Sequence, residues 1–363
     1  MKRTLISVAV LGTILGAATA QAGGFDRSGQ DTSIILKDGN LVEITSVSVA
    51  AKVKGTYNVG GSTGNGLPNY SFNTVSFRTD INDNMSFALI QDTPFGADVD
   101  WSTGTAGASF VGIKAKVESA ATTALVSYDL ENNITVYGGI KNQSLSASAS
   151  NPLVSAYTIS SNTDSSIGYV LGAAIEKPEI AMRVALTYHS KVSHDLAITE
   201  TTTALGTASR TLSFDTPETI NLDFQTGVAE HTLVFGTIRH VKWKQMTLSP
   251  AMYKTASAKN LKEFSQNTTN YTVGVGRKFS DQWSGAVTYG TEAAEGVDGG
   301  PLGPTDGYKK LGLGVTYTGE QASVTLAVQK VNMGDVKAVA GALSASMTGG
   351  TALVTAVKIG YRF

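Results

Sequence analysis

Cysteine is absent from this 363-residue chain. A secreted chain without it gets no help from disulfides, so closed backbone hydrogen bonding or a large core must hold the fold. Charge is sparse, at 16% of residues, and no basic surface broad enough for nucleic acid can be built from it. Beyond the N-terminus no run of eighteen uninterrupted apolar residues occurs, which excludes a transmembrane helix. The four histidines, His189, His194, His231 and His240, lack a metal-ligand spacing. No G-x-G-x-x-G or Walker pattern appears, and Gly60 to Gly64 reads as a loop tip. Serines abound, but no nucleophile elbow or triad order stands out among them. Neither an enzyme nor a cofactor or metal is expected.

An address opens the chain. Lys2 and Arg3 precede an apolar run from Leu5 to Ala18, followed by Ala20-Gln21-Ala22. This is the layout of a secretory signal peptide over residues 1–22. Removing Lys2 and Arg3 from the 28 basic residues leaves 26 against 29 acidic ones, a net charge of about −3. Glycine is high, at 39 residues, as suits close-packed strands.

The connections past residue 43 alternate between short and long. Asn82-Asp83-Asn84, Glu131-Asn132, Lys177-Pro178-Glu179, Val228-Ala229-Glu230, Ser280-Asp281-Gln282 and Gly319-Glu320 are tight. The intervening gaps are long and rich in Gly, Ser, Thr and Asn. That asymmetry is expected when one end of a closed antiparallel barrel faces the periplasm and the other the outside. Fourteen strand-like segments fall at 43–57, 72–80, 85–95, 111–130, 133–143, 167–176, 180–196, 209–226, 231–246, 269–279, 283–292, 308–318, 321–332 and 352–363. An even number puts both termini at one end, expected to be periplasmic.

Period-2 alternation sorts the faces. Leu353, Val357, Ile359, Tyr361 and Phe363 oppose Lys358, Gly360 and Arg362. A Lys or Arg on the lipid face costs about 2–4 kcal/mol at mid-depth, so the charged parity should face the lumen. Ile180, Met182, Val184, Leu186 and Tyr188 oppose Arg183, Thr187, His189 and Lys191 in the same way; Val47, Val49, Ala51, Val53 and Tyr57 oppose Ser46, Ser48, Lys52 and Lys54. Trp283, Tyr289, Tyr271, Phe279, Tyr317 and Tyr361 suit interfacial girdles. Around 231–246 the pattern is mixed, because Arg239 and Trp243 share a parity with Leu233 and Phe235. The expectation there is a strand that extends above the bilayer. The fold class read from these patterns is all-β, a 14-stranded antiparallel transmembrane β-barrel over 43–363 in the outer membrane of a Gram-negative cell.

Two segments do not fit a plain barrel. Residues 23–42 form a mixed polar stretch with one apolar trio, Ile34, Ile35 and Leu36. From the terminal end it can fold into the lumen as a hatch, to which Phe25, Asp26 and Arg27 would also belong. The alternative is a loose tail. Thr93-Pro94-Phe95-Gly96 interrupts the third strand, since proline cannot donate to a ladder. It reads either as a gap in the wall or as a turn just above the membrane.

Three stretches resemble the FadL/TodX-type family of outer-membrane transporters for long-chain fatty acids and other hydrophobic compounds. Phe77 through Asp98 looks like the family's second hairpin and its Pro-Phe-Gly exit. Thr216-Pro217-Glu218-Thr219-Ile220-Asn221-Leu222 is similar to the opening of its eighth strand. Lys358-Ile359-Gly360-Tyr361-Arg362-Phe363 matches its ending. The family's Asn-Pro-Ala hatch tripeptide is absent. The resemblance implies capture of a hydrophobic molecule among the loops, hatch movement, and sideways exit at Pro94, Phe95 and Gly96. It also implies a monomer. Candidate loop contacts are Leu153, Val154, Tyr157 and Ile159 in the third long loop, and Leu248, Met252, Tyr253, Leu261 and Phe264 in the fifth. The expected partners are a fatty-acid-like ligand, outer-membrane lipid and lipopolysaccharide. Asp98 and Asp100 read as solvated loop charges, with a lipopolysaccharide-bridging divalent ion as the alternative. A general diffusion porin for small polar solutes is the alternative function.

Overall fold

The computed structural model describes residues 25–105 and 110–363; the expected leader over 1–22 lies outside them. Fourteen antiparallel strands close into a barrel. They are β1 (Leu41–Lys52), β2 (Tyr70–Asn82), β3 (Met85–Asp92, resuming as Gly96–Asp100), β4 (Lys114–Leu130), β5 (Ile134–Asn151), β6 (Asp164–Lys177) and β7 (Met182–His189, resuming as Val192–Thr202). β8 (Gly206–Thr216, resuming as Thr219–Ala229), β9 (Thr232–Val241), β10 (Thr268–Lys278), β11 (Trp283–Glu292), β12 (Tyr308–Thr318), β13 (Ala322–Met333) and β14 (Thr351–Arg362) follow. Each strand pairs with its sequence neighbour, and β14 returns to β1, with Ser46 opposite Val357. Closure pairs every wall strand with a neighbour on both edges, as hydrocarbon demands of a backbone, except where the β2–β3 ladder stops at Val75–Gln91.

The start of β1 and the end of β14 lie together, with the Phe363 N–H donating to the Asn40 carbonyl at 3.3 Å. The short turns share that end. Asn132 and Asn133 turn the chain there with φ of 63° and 58°, a conformation that asparagine tolerates better than most residues. At the other end the long loops form small sheets, and a helix, α1 (Ala251–Ser257), sits between β9 and β10.

The wall alternates as the period requires. Leu311, Leu313, Leu353, Ile359 and Leu186 are each half or more exposed on its outer face. The six girdle aromatics named above are exposed there too. Lys358 points inward, 5% exposed, and its Nζ lies 2.8 Å from a Glu43 carboxylate oxygen.

Three strands differ from expectation. In β7 Lys191, expected in the lumen, is exposed and pairs with Asp215 at 2.8 Å, because the break at residues 190–191 switches the inward parity. In β1 the apolar parity faces inward: Val47, Val49 and Ala51 are 2%, 2% and 4% exposed, while Lys52 is exposed on the outside. The lumen near the long loops is itself apolar, with Trp101, Phe110, Val331 and Val354 in the same cluster. β9 does not extend to residue 246; it ends at Val241 and a single 3-10 turn follows. Leu233 and Phe235 share the inward face with Arg239 because Gly274 opposite makes room. A Cβ at Gly274 would sit 2.5 Å from the Phe235 ring.

Candidate ligand cavity and the break in the wall

The N-terminal segment, residues 25–40, meets inward-facing side chains of many strands. Asp26 is fully buried and accepts from Arg239 Nε of β9 at 2.6 Å. Arg239 also donates to Asn221 Oδ1 at 2.8 Å and Gln30 Oε1 at 3.2 Å. Thr219 donates to Gln30 Oε1 at 2.9 Å, and Asn221 Nδ2 to the Gly29 carbonyl at 3.0 Å. Ser28 donates to Asp92 of β3. A 3-10 turn, Ser33–Leu36, buries Ile34 and Ile35 against Ile90, Leu125, Tyr137 and Val170, with Leu36 partly buried beside them. Lys37 then pairs with Glu43 at 2.7 Å. Burial pulls the Lys37 ammonium down to about 8, against the opposing pull of Glu43.

The third strand is broken at Thr93–Phe95. The β2–β3 ladder runs only from Asn82–Met85 to Val75–Gln91. Beyond it, Tyr70 to Thr74 pair with β1 and not with β3. On its other edge β3 keeps contact with β4, from Asp92 opposite Ala121 to Gly96 opposite Glu118. Ser119 Oγ fills the missing rung, accepting from the Phe95 N–H at 3.0 Å and donating to its carbonyl at 2.6 Å.

The N-terminal segment satisfies the rest of the break. The Arg27 N–H donates to the Pro94 carbonyl and the Ser28 N–H to the Thr93 carbonyl, each at 3.0 Å. The Gly96 N–H donates to the Phe25 carbonyl at 2.7 Å. Backbone groups that lipid would leave unpaired are thus paired from inside. The Arg27 side chain is 7% exposed and stacks its guanidinium 3.9 Å over the Tyr70 ring. It lines a space beside the break, with Tyr70, Leu67, Ala97 and Asp98.

An apolar cavity lies next to it. Its walls are Val117 of β4, Leu145 and Ala147 of β5, Leu196 of β7, and Leu212 and Phe214 of β8. Phe25 of the N-terminal segment closes it below; Met246, Leu248 and Leu261 come from the loop above. The two spaces share Ala97, Val99 and Leu302. Phe25, Phe95, Trp243 and Phe264 form one aromatic group, with centroid spacings from 5.0 to 6.3 Å.

One charged residue, Lys262, is part of this cavity's lining. Its ammonium sits 4.7 Å over the Phe264 ring. Burial lowers its pKa, while Glu295 and Glu263 pull the other way. Among the described residues no carboxylate comes within ion-pair distance of it.

The loop residues expected from sequence divide. Ile159, Leu248 and Leu261 line the cavity. Val154, Tyr157, Met252, Tyr253 and Phe264 pack behind it in the same cluster, and Leu153 is exposed. Tyr157 donates to Glu200 Oε1 at 3.1 Å, and that oxygen also accepts the N–H groups of Met252 and Tyr253. Glu200 therefore seats α1 against the barrel. Most of the cavity wall was not foreseen. Val117, Leu145, Leu196, Leu212 and Phe214 look like lipid-facing residues by period alone. The one available signal was charge on the opposite parity of the upper strands, Lys116 and Glu118 beside Val117 and Asp215 beside Phe214, which suits an outward face only above the bilayer.

Residues 32–363 match the family model described as outer membrane protein transport protein (OMPP1/FadL/TodX). No curated protein matches the sequence. Among solved structures, a Pseudomonas aeruginosa FadL homologue aligns with a TM-score of 0.77 at 15% identity, over 99% of this chain and 98% of that one. The P. putida toluene transporter TodX gives 0.66 at 14% identity, over 90% and 91%. The Ralstonia pickettii toluene transporter TbuX gives 0.65 at 12%, over 97% and 98%.

Proposed function

Because this chain belongs to the OMPP1/FadL/TodX family of outer-membrane transporters for hydrophobic compounds, we propose that it takes up amphipathic hydrocarbons bearing a carboxylate, long-chain fatty acids foremost. The observation that carries this reading is the apolar cavity with one charged residue, Lys262, in its lining and its ammonium at the edge over the Phe264 ring. An acyl chain gains about 0.8 kcal/mol per buried CH₂ there, and a carboxylate would answer Lys262. A pure aromatic hydrocarbon such as toluene, named for TodX, would bring Lys262 no counter-charge.

The route runs from loops to cavity to wall. Ligand enters among the long loops, which face outside; both termini face the periplasm. Residues 25–40 act as the hatch beneath the cavity. Withdrawal of Phe25 and Arg27 opens the way past Ala97 and Val99 to the break at Pro94, Phe95 and Gly96. There the ligand passes sideways between β2 and β3 into the membrane. No energy source is needed, because each step lowers apolar exposure to water. The barrel works as a monomer, since β14 closes on β1 within one chain.

Equilibrium binding of oleate and of hexadecane to wild type and Lys262→Leu tests the ligand class. The variant should bind oleate about tenfold more weakly, near 1.4 kcal/mol, with hexadecane unchanged. Equal loss of both ligands, or no loss of either, would remove the carboxylate from the account.

A further inference from the structure

The outer wall carries four lysines along the rim of four consecutive strands, β12, β13, β14 and β1, and no outward carboxylate on those strands answers them. The register places them. Lys309 of β12 lies opposite Asn332 of β13, Asn332 opposite Thr351 of β14, and Thr351 opposite Lys52 of β1. One step toward mid-wall, Lys330 lies opposite both Leu311 and Leu353. Lys54 follows Lys52 on the same parity. All four lysines are exposed. They share their parities with Leu311, Leu313, Leu326, Val328, Leu353 and Val357, so they face outward at the edge of the apolar band. Three strand spacings of about 4.8 Å separate Lys309 from Lys52, roughly 14 Å.

Charge is uncompensated on this part of the wall and compensated on the wall formed by β3, β4, β7 and β8. Outward positions on β12, β13, β14 and β1 carry no Asp or Glu. Three exposed lysines of that wall have partners: Lys114 with Asp100 at 3.0 Å, Lys116 with Glu118 at 2.7 Å, Lys191 with Asp215 at 2.8 Å. Among the described residues none of Lys52, Lys54, Lys309 or Lys330 has a carboxylate within 4.0 Å. Lysines at the rim of a β-barrel cost little, so position alone explains one. A like-charged group of four, unrelieved by acid, calls for an external anion. Asn332 and Thr351 between them add uncharged hydrogen-bond donors.

We propose that this patch binds the phosphorylated headgroup of an outer-leaflet glycolipid. Its acyl chains would lie on the apolar positions below, and its phosphates at the lysines above. The proposal needs the long-loop end to face outward but is independent of what passes through the lumen.

The test uses full-length protein folded in non-ionic detergent. Native mass spectrometry counts bound lipid A and its dephosphorylated form at low and moderate salt. Wild type should retain the phosphorylated form at least tenfold more tightly, with the preference falling as salt rises. The quadruple variant Lys52→Ser, Lys54→Ser, Lys309→Ser, Lys330→Ser should lose that preference at least tenfold. The matched control Lys114→Ser, Lys116→Ser, Lys191→Ser should keep it. The all-arginine version of the patch should also keep it, which separates charge from a folding defect. Equal binding of the two lipid forms by wild type would overturn the proposal, as would full retention by the serine variant or equal loss in the control.

Discussion

Replacing Arg239 with leucine isolates what holds the N-terminal segment in place. Asp26 is 0% exposed and Arg239 3%, and their contact is 2.6 Å. The variant leaves a carboxylate buried without its counter-charge, a cost of about 3–5 kcal/mol. It also removes the donors to Asn221 Oδ1 and Gln30 Oε1. None of these bonds belongs to a wall ladder. The cheapest relief is therefore local, with residues 25–31 leaving their seat while the barrel stays closed. Hydrogen exchange followed by mass spectrometry reads this directly. Amides of Arg27, Ser28 and Gly96, which bond across the break, should exchange roughly 10²–10³-fold faster. Strands β10 to β12 should not change. Adding Asp26→Asn removes the stranded charge and should restore most of the protection. A change below about threefold at these amides would refute the anchoring role, and so would equal acceleration throughout the wall.

Filling the cavity with Ala147→Trp should cut oleate binding more than tenfold while leaving the thermal midpoint of the barrel within a few degrees, checked by titration and heat-dependent gel mobility. Arg27→Ala clears the guanidinium from beside Tyr70 and should raise the rate of ligand release into proteoliposome membranes severalfold, measured with a fluorescent acyl probe. Lys37 holds its proton less tightly when docked, near 8 rather than 10.5. Docking of residues 33–40 should therefore strengthen as pH rises from about 8 to 10.5, and that gain is lost as pH falls through 8. Exchange at those amides, corrected for intrinsic rate, checks the sign.

Strand number and the lipid-facing aromatics were legible because alternation and turn chemistry are local. Lys358 on the inner face followed from the cost of a charge in hydrocarbon. Period 2 gives two faces but not their sides when both surroundings are apolar, and that is why Val47 and Val49 were misplaced. Phe235 faces inward only because glycine stands at 274, a partner 39 residues away in the chain. The same ambiguity hid Leu145, Leu212 and Phe214 in the cavity wall. The proline at 94 announced a broken ladder. That Arg27 and Ser28 would repair it is a long-range match of backbone groups, which no local pattern encodes. Lys262 sat in a polar loop and gave no signal until Phe264 and the cavity were placed around it.

Uptake by a deletion strain expressing wild-type protein tests the central claim most directly. Labelled oleate and a labelled small sugar are supplied to the same cells. The account expects oleate entry to rise well above the empty strain, to fall with Ala147→Trp, and sugar entry to stay at background. Sugar entry rising with the protein, and oleate entry indifferent to Ala147→Trp, would make it an open diffusion pore and contradict the account.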